Sequence, residues 1–211
     1  MANLETNFIG MTSPNPFWIA SGPPSDKDYN VNRAFEAGWG WVVWKTLGED
    51  PHIVNVNGPR YAVLHGNDRQ VIGFNNIELI TDRPLQTNLK EMTQIKRDWP
   101  DRPLIASVML PMNEASWAKY VPMIEDTGAD AFELNFGCPH GMSERGMGAA
   151  VGQVPEYIQM VAEWCKTYSS LRAKSQFAMV VPKTNSAVDL ELALPPGTTA
   201  AGRLESIKSS N

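Results

Sequence analysis

The chain has 211 residues, 43% of them apolar, with 18 Lys and Arg against 23 Asp and Glu for a net charge of −5. That size and apolar share suit one domain with a sizeable core and exclude wholesale disorder. The acidic balance argues against a general nucleic-acid surface, which needs cations to neutralise phosphates, and no apolar run is long enough to cross a bilayer.

Met1 to Thr6 lacks the basic-then-apolar pattern of a signal peptide, so a cytoplasmic protein is expected. The two cysteines, Cys138 and Cys165, are too few for a four-thiolate cluster or a Cys₄ zinc site. The histidines, His52, His65 and His140, show no ligand spacing, so no metal site is expected.

Read in chain order, the first strand candidate is 16–21, which runs into the turn Gly22-Pro23-Pro24. A helix follows over about 28–37, stopped by Gly38. Residues 41–46 form the second strand, apolar except for Lys45 and the terminal Thr46, as suits a strand covered on both faces. The stretch 47–76 is rich in Gly, Pro and Asn and reads as a long functional or unstructured excursion. A helix over 85–99 carries Leu85, Leu89, Met92 and Ile95 at helical spacing, and Pro100 and Pro103 end it. Then come a strand at 104–110, a helix at 113–127 stopped by Gly128, a strand at 131–136, a loop over 137–152 and a helix at 155–168.

Alternating strands and helices predict a parallel sheet. An open Rossmann-type sheet and a (β/α)₈ barrel fit the pattern equally, although no G-x-G-x-x-G follows the first strand. After Ser170 the character changes. Residues 171–211 hold one aromatic, Phe177, of the chain's nineteen, and their net charge is +2 against −7 before them. Residues 177–181 could form one strand; the rest reads as disordered or non-native, with Val188-Asp189, Glu191-Leu192 and Leu204-Glu205 as dipeptides that cloning sites encode.

In parallel α/β proteins the loops at strand C-termini hold the active site. Cys138 lies in such a loop, among glycines and Pro139. An unperturbed thiol, with a pKa near ~8.5, is mostly protonated at neutral pH, which favours a general acid over a nucleophile. His140 and Arg145 could tune it; the alternative is a structural free cysteine, as Cys165 reads on its helix. Asn135 is either a turn former or an amide offering donor and acceptor to a ring edge. Lys45, in an apolar strand, either meets an anion or acceptor or snorkels to solvent. Ser21 and Thr46 end their strands with hydroxyls that could donate to the same ligand. Asn75-Asn76 could instead cap a helix. Trp39, Trp41 and Trp44 read as core packing, and Met109, Met112, Met142 and Met147 need no cofactor to explain them.

Taken together, several segments resemble the dihydropyrimidine dehydrogenase family, in particular its bacterial NAD-dependent branch. They are Asn-Pro-Phe at 15–17, Ala-Ser at 20–21, Ala-Phe-Glu-Ala-Gly-Trp-Gly at 34–40, Lys-Thr at 45–46, Asn-Ile-Glu-Leu-Ile at 76–80 and Glu-Leu-Asn-Phe-Gly-Cys-Pro-His-Gly-Met-Ser-Glu-Arg-Gly-Met-Gly at 133–148. The resemblance runs from about residue 4 to 169. It implies a (β/α)₈ TIM barrel binding FMN at its C-terminal mouth, with Ala20, Ser21, Lys45 and Thr46 on the flavin. Asn76 and Asn135 would hold the pyrimidine, and Cys138 would protonate it. The implied reaction is NADH-linked reduction of uracil or thymine to the 5,6-dihydropyrimidine, with electrons arriving through a flavin and iron–sulfur partner subunit.

The likeness stops where the family's fifth strand carries Lys-Leu-Thr-Pro-Asn and this chain has Leu171-Arg172-Ala173-Lys174. Residues 1–170 are therefore expected to be the N-terminal part of the barrel, truncated after about four βα units, with 171–211 a divergent tail. Such an open half-barrel, with an uncovered edge, is expected to bind FMN weakly and to associate. The alternatives are a dihydroorotate dehydrogenase-like flavoenzyme and an inactive fragment that acts only by association.

Overall fold

The computed structural model describes residues 3–49, 60–76, 78–138, 146–169, 174–175 and 178–182. The chain begins with a hairpin, β1 (Thr6–Phe8) and β2 (Met11–Ser13), turning at Ile9 and Gly10, both at positive φ. Two central residues at positive φ make a primed turn, whose twist matches that of the strands it joins.

β3 (Trp18–Ile19) leads through a 3-10 turn at Pro23–Ser25 into α1 (Asp28–Glu36). β4 (Trp41–Leu47) follows, then a second hairpin, β5 (Tyr61–His65) and β6 (Val71–Asn76). The chain continues with α2 (Leu85–Asp98), β7 (Leu104–Val108), α3 (Glu114–Glu125), β8 (Ala131–Asn135), the short α4 (Ala149–Gly152) and α5 (Pro155–Tyr168). β9 (Lys174–Ser175) and β10 (Ala178–Pro182) come last.

Six strands form one sheet in the order β3-β4-β7-β8-β10-β9. β3, β4, β7 and β8 are parallel neighbours, as the strand–helix alternation requires. β10 departs from that pattern by pairing antiparallel with β8, Val180 opposite Glu133, and β9 pairs antiparallel with β10. Residues 178–182 thus add a strand beside β8; the remainder of the segment after Ser170, including Phe177, lies outside the described residues apart from β9.

The parallel strands are covered on both faces, which explains their near-continuous apolar runs. One face meets the helices: Val42 and Trp44 of β4, Leu104 and Ala106 of β7 and Phe132 and Leu134 of β8 share a core with Phe35, Met92, Trp117 and Val161. On the opposite face Trp41, Val43, Ile105 and Ala131 pack under Met11 of the β1–β2 hairpin. Trp18 stacks on Trp41, ring centroids 4.5 Å apart. One step further along the same strands, residues of that second face turn polar: Ser107 after Ile105, and Glu133 and Asn135 after Ala131. The hairpin closes the N-terminal end of this face, and the polar layer occupies its C-terminal end.

Gly38 sits at φ 99° just past α1, the left-handed position that stops a helix. Asn113 caps α3 by accepting a hydrogen bond from the Ala115 amide. Four sequence expectations change. The first strand shrinks from 16–21 to two residues. Asn76 ends β6 and does not cap a helix. The excursion over 47–76 contains a hairpin, with a register shift between Leu64 and His65, and its five-residue first strand is exposed throughout, so burial imposes no alternation on it. Trp41 and Trp44 are core residues, while Trp39 is exposed.

Candidate active site

β4 and β7 shift register between Trp44 and Leu47, where three steps on β4 match two on β7. Such a bulge re-aims the extra residue. Lys45 and Thr46 occupy it, and both are buried with polar partners. Lys45 Nζ donates to Glu78 Oε1 at 2.7 Å and to the Leu79 carbonyl at 3.0 Å. Its charge is therefore met by the protein, which satisfies the rule that a buried ammonium needs an anion. Arg60 approaches the same carboxylate at 3.2 Å. Burial pushes the Glu78 carboxyl up, but Lys45 and Arg60 outweigh it and hold it below its ordinary value.

Thr46 is the hub of the polar layer. Its amide donates to Ser21 Oγ at 3.1 Å, and its hydroxyl lies 3.1 Å from Ser21 Oγ and 2.8 Å from Ser107 Oγ. Ser107 donates to Glu133 Oε1 at 2.7 Å. Asn135 Nδ2 donates to Thr46 Oγ1 at 3.0 Å and to Cys138 Sγ at 3.1 Å, while Asn135 Oδ1 accepts from the amides of Gly137 and Cys138. All four hydrogen-bonding positions of the Asn135 side chain are thereby engaged. In this arrangement Asn135 organises the cysteine loop and holds the thiol.

Beneath the half-buried Cys138 lies a small apolar cluster of Ile80, Met109 and Met147. The loop returns to it tightly. Gly148 sits at φ 55°, and a Cβ there would collide with the Cys138 carbonyl and come within 2.9 Å of Met109 Sδ. Ala149 N donates to that same carbonyl at 3.2 Å. Cys165 is a contrast: fully buried on the core-facing side of α5, its thiol is pushed up to about 12 by burial.

Of the sequence-predicted site residues, the structure brings Ser21, Thr46, Asn135 and Cys138 into one hydrogen-bonded group. Lys45 neighbours it along β4 but pairs with Glu78. Ala20 precedes Ser21 and accepts from Ser25 Oγ through its carbonyl. Asn76 closes β6, and its side chain lies outside the described residues, as do His140, Arg145 and Met142. Sequence reasoning missed Ser107, Glu133 and Glu78 as site members. The signal that found Lys45, a polar residue interrupting a buried strand, applies equally to Ser107 and Glu133.

The polar set suits an electron-rich ligand, and a flavin ring is one that its residues could meet. It offers hydroxyls at Ser21 and Thr46 and an ammonium at Lys45, with two of that ammonium's three donors engaged among the described residues. No helix among the described residues is long and apolar enough to cross a membrane.

No protein-family model matches the chain. It is 48% identical over 168 residues to the chloroplastic dihydropyrimidine dehydrogenase (NADP(+)) of Arabidopsis thaliana, a match covering 77% of this chain and 39% of that protein. It is 35% identical over 195 residues to the NAD-dependent dihydropyrimidine dehydrogenase subunit PreA of Escherichia coli, covering 92% of this chain and 46% of the subunit. The catalytic subunit of dihydroorotate dehydrogenase B from Thermoplasma volcanium is 27% identical over 193 residues, 58% of its length. Over most of its residues the chain is thus a homologue of the dihydropyrimidine dehydrogenases, spanning less than half the length of the plant and Escherichia coli relatives named here.

Proposed function

We propose that this chain forms the pyrimidine-facing part of a flavin-dependent dihydropyrimidine dehydrogenase, with residues 1–170 the N-terminal part of a (β/α)₈ barrel. The substrate is uracil or thymine, the bond reduced is the 5,6 double bond, and the electrons originate on NADH and arrive through a flavin and iron–sulfur partner subunit. The observation that carries the reading is Cys138 held by Asn135 at the C-terminal edge of a parallel sheet, beside a cluster of hydroxyls. FMN, when bound, supplies the hydride chemistry.

The chain's own residues then divide the remaining work. Cys138 holds the proton that one ring carbon receives, and Asn135 fixes the thiol so that this proton is delivered from one direction. Lys45 and, when its hydroxyl proton points outward, Ser21 supply donors to the electron-rich ring of the cofactor, with Thr46 holding Ser21 in place. Asn76 is assigned to the pyrimidine edge, and Asn135 joins it there once the substrate competes for its amide. The apolar floor of Ile80, Met109 and Met147 excludes water from below the thiol.

The test is turnover of uracil by the chain supplied with FMN and a reductant, read as dihydrouracil, with dihydroorotate oxidation as the competing assay. Cys138→Ala is expected to lower uracil turnover by about 10²–10⁴-fold, the usual weight of a positioned general acid, while the visible spectrum of bound flavin persists. Unchanged turnover in Cys138→Ala overturns the assignment of the proton donor. Turnover of dihydroorotate alone moves the chain to the other branch of its relatives.

A further inference from the structure

The hydroxyls of Ser21, Thr46 and Ser107 form a continuous O–H···O line that ends on the carboxyl of Glu133. The steps measure 3.1, 2.8 and 2.7 Å. Ser107 and Thr46 are buried, so the line is shielded between its ends, while Ser21 and Glu133 are each partly open. Nothing in the proton donation by Cys138 uses this line.

Its hydrogen-bond polarity follows from counting protons. A carboxylate only accepts, so with Glu133 ionised Ser107 donates to it and must accept from Thr46. Thr46 has then spent its one hydroxyl proton, and accepts from Asn135 Nδ2 and from Ser21. Every proton points toward Glu133, and Ser21 offers a ligand only lone pairs. With Glu133 protonated the order reverses: Glu133 donates to Ser107, Ser107 to Thr46 and Thr46 to Ser21. The Ser21 hydroxyl proton is then free to point outward. Both arrangements satisfy every atom, and Asn135 donates to Thr46 in each.

We propose that Ser21, Thr46 and Ser107 form a proton relay that connects Glu133 to the ligand held at Ser21, so that Glu133 serves as that ligand's proton store. One proton leaves the Glu133 carboxyl at Ser107, and an equivalent one leaves Ser21 for an acceptor atom of the ligand. Each bond to hydrogen that breaks is matched by one that forms, no electrons move, and the products are a carboxylate and a protonated ligand. A ring system that gains negative charge on reduction is the class of ligand that needs such a store; in naming FMN as that ligand, the inference rests on the function proposed above. Glu133 suits the part because burial pushes its carboxyl up, with the Ser107 hydroxyl opposing that shift and no charged side chain contributing to it among the described residues.

The experiment follows the Glu133 carboxyl by infrared spectroscopy of the full chain labelled with ¹³C-glutamate, its band identified by its loss in Glu133→Gln. In the ligand-free chain, Ser21→Ala touches neither Glu133 nor Ser107, yet is expected to move the Glu133 titration midpoint by about half a pH unit or more. Ser107→Ala, which cuts the line, is expected to abolish that response when combined with Ser21→Ala. A Glu133 band indifferent to Ser21→Ala overturns the relay. Should Ser107→Ala fail to fold, Thr46→Val makes the same cut. The second arm adds saturating FMN and reduces it with dithionite: loss of the protonated Glu133 band on reduction supports the store, and a silent band with flavin bound overturns it. FMN that stays unbound, judged by unchanged visible absorbance, overturns the flavin reading and the identity of the ligand, while the first arm still decides whether the line conducts.

Discussion

β4 and β5 are both short and rich in apolar residues, yet all seven residues of Trp41–Leu47 are buried and all five of Tyr61–His65 are exposed. Composition does not separate them; position in the sheet does. β4 lies between β3 and β7 with helices on one face and the first hairpin on the other. Among the described residues β5 pairs only with β6, and Phe74 and Ile72 of that partner are 80% and 70% exposed. A buried strand must find a partner for every polar atom it carries, because an unmatched one is costly. That is why the polar residues of β4, Lys45 and Thr46, hold organised partners at the site. The hairpin carries no such obligation, and its polar groups can face water.

The largest consequence falls on Lys45. Glu78→Ala leaves its ammonium buried without its carboxylate, and a broken buried pair typically costs about 3–5 kcal/mol. Urea unfolding is expected to show a loss of that order. The double variant Lys45→Met, Glu78→Gln removes both charges at similar volume and is expected to recover most of it. If Glu78→Ala unfolds no more easily than the unaltered chain, β4 is as open to water as the hairpin, and the contrast between the two strands fails.

The next test compares apolar truncations directly. Leu47 is fully buried and belongs to the main core, so Leu47→Ala is expected to cost about 2–5 kcal/mol. Phe74→Ala removes a larger side chain from an exposed strand and is expected to change stability by no more than about 0.5 kcal/mol. Equal losses at the two positions show that the hairpin is covered in solution by another surface. Thermal melts read at several protein concentrations distinguish that case, since a self-associated hairpin makes the midpoint concentration-dependent.

The elements that the sequence made legible are those with two covered faces or strong end signals. α5 matches its expected span because Pro155 opens it, and α1 stops where Gly38 takes a positive φ. Asn135 near a strand end and Cys138 in the loop that follows could be placed near each other from the strand–loop order alone. The bulge in β4 was invisible to pattern, since periodicity assumes that neighbours alternate sides, and it is the bulge that gives both Lys45 and Thr46 buried polar partners. Ser107 and Glu133 carry the same signal as Lys45, a polar residue in a buried strand, but only the third dimension shows that they fall in line with Thr46. The exposed hairpin escaped because burial, which imposes alternation, does not act on it. The antiparallel β10 escaped because no local signal states the direction in which a strand pairs.

The smallest expected effect is in the acid limb of stability, where carboxylates raised by burial and carboxylates held by cations pull in opposite directions. Glu133 and Asp26 are each raised above their ordinary values chiefly by burial. A raised carboxyl binds its proton more readily folded than unfolded, so its burden is present at neutral pH and is relieved as pH falls through the raised value. Glu78 and Glu91 are lowered: burial pushes each up, but Lys45 and Arg60 on one and Arg83 and the Asp28 amide on the other outweigh it. Their contribution is complete above the ordinary value of 4.5 and is lost as pH falls through their folded values. The melting temperature is therefore expected to rise modestly as the pH falls from neutrality toward the ordinary carboxylate range, then to fall below it. Glu133→Gln keeps an acceptor for Ser107 while removing the charge, so it should raise the neutral-pH melting temperature and flatten the first limb without touching the second. A profile that falls steadily from neutrality, identical in Glu133→Gln, means that Glu133 is as hydrated as a residue of the hairpin and that the polar layer of the sheet is not sealed.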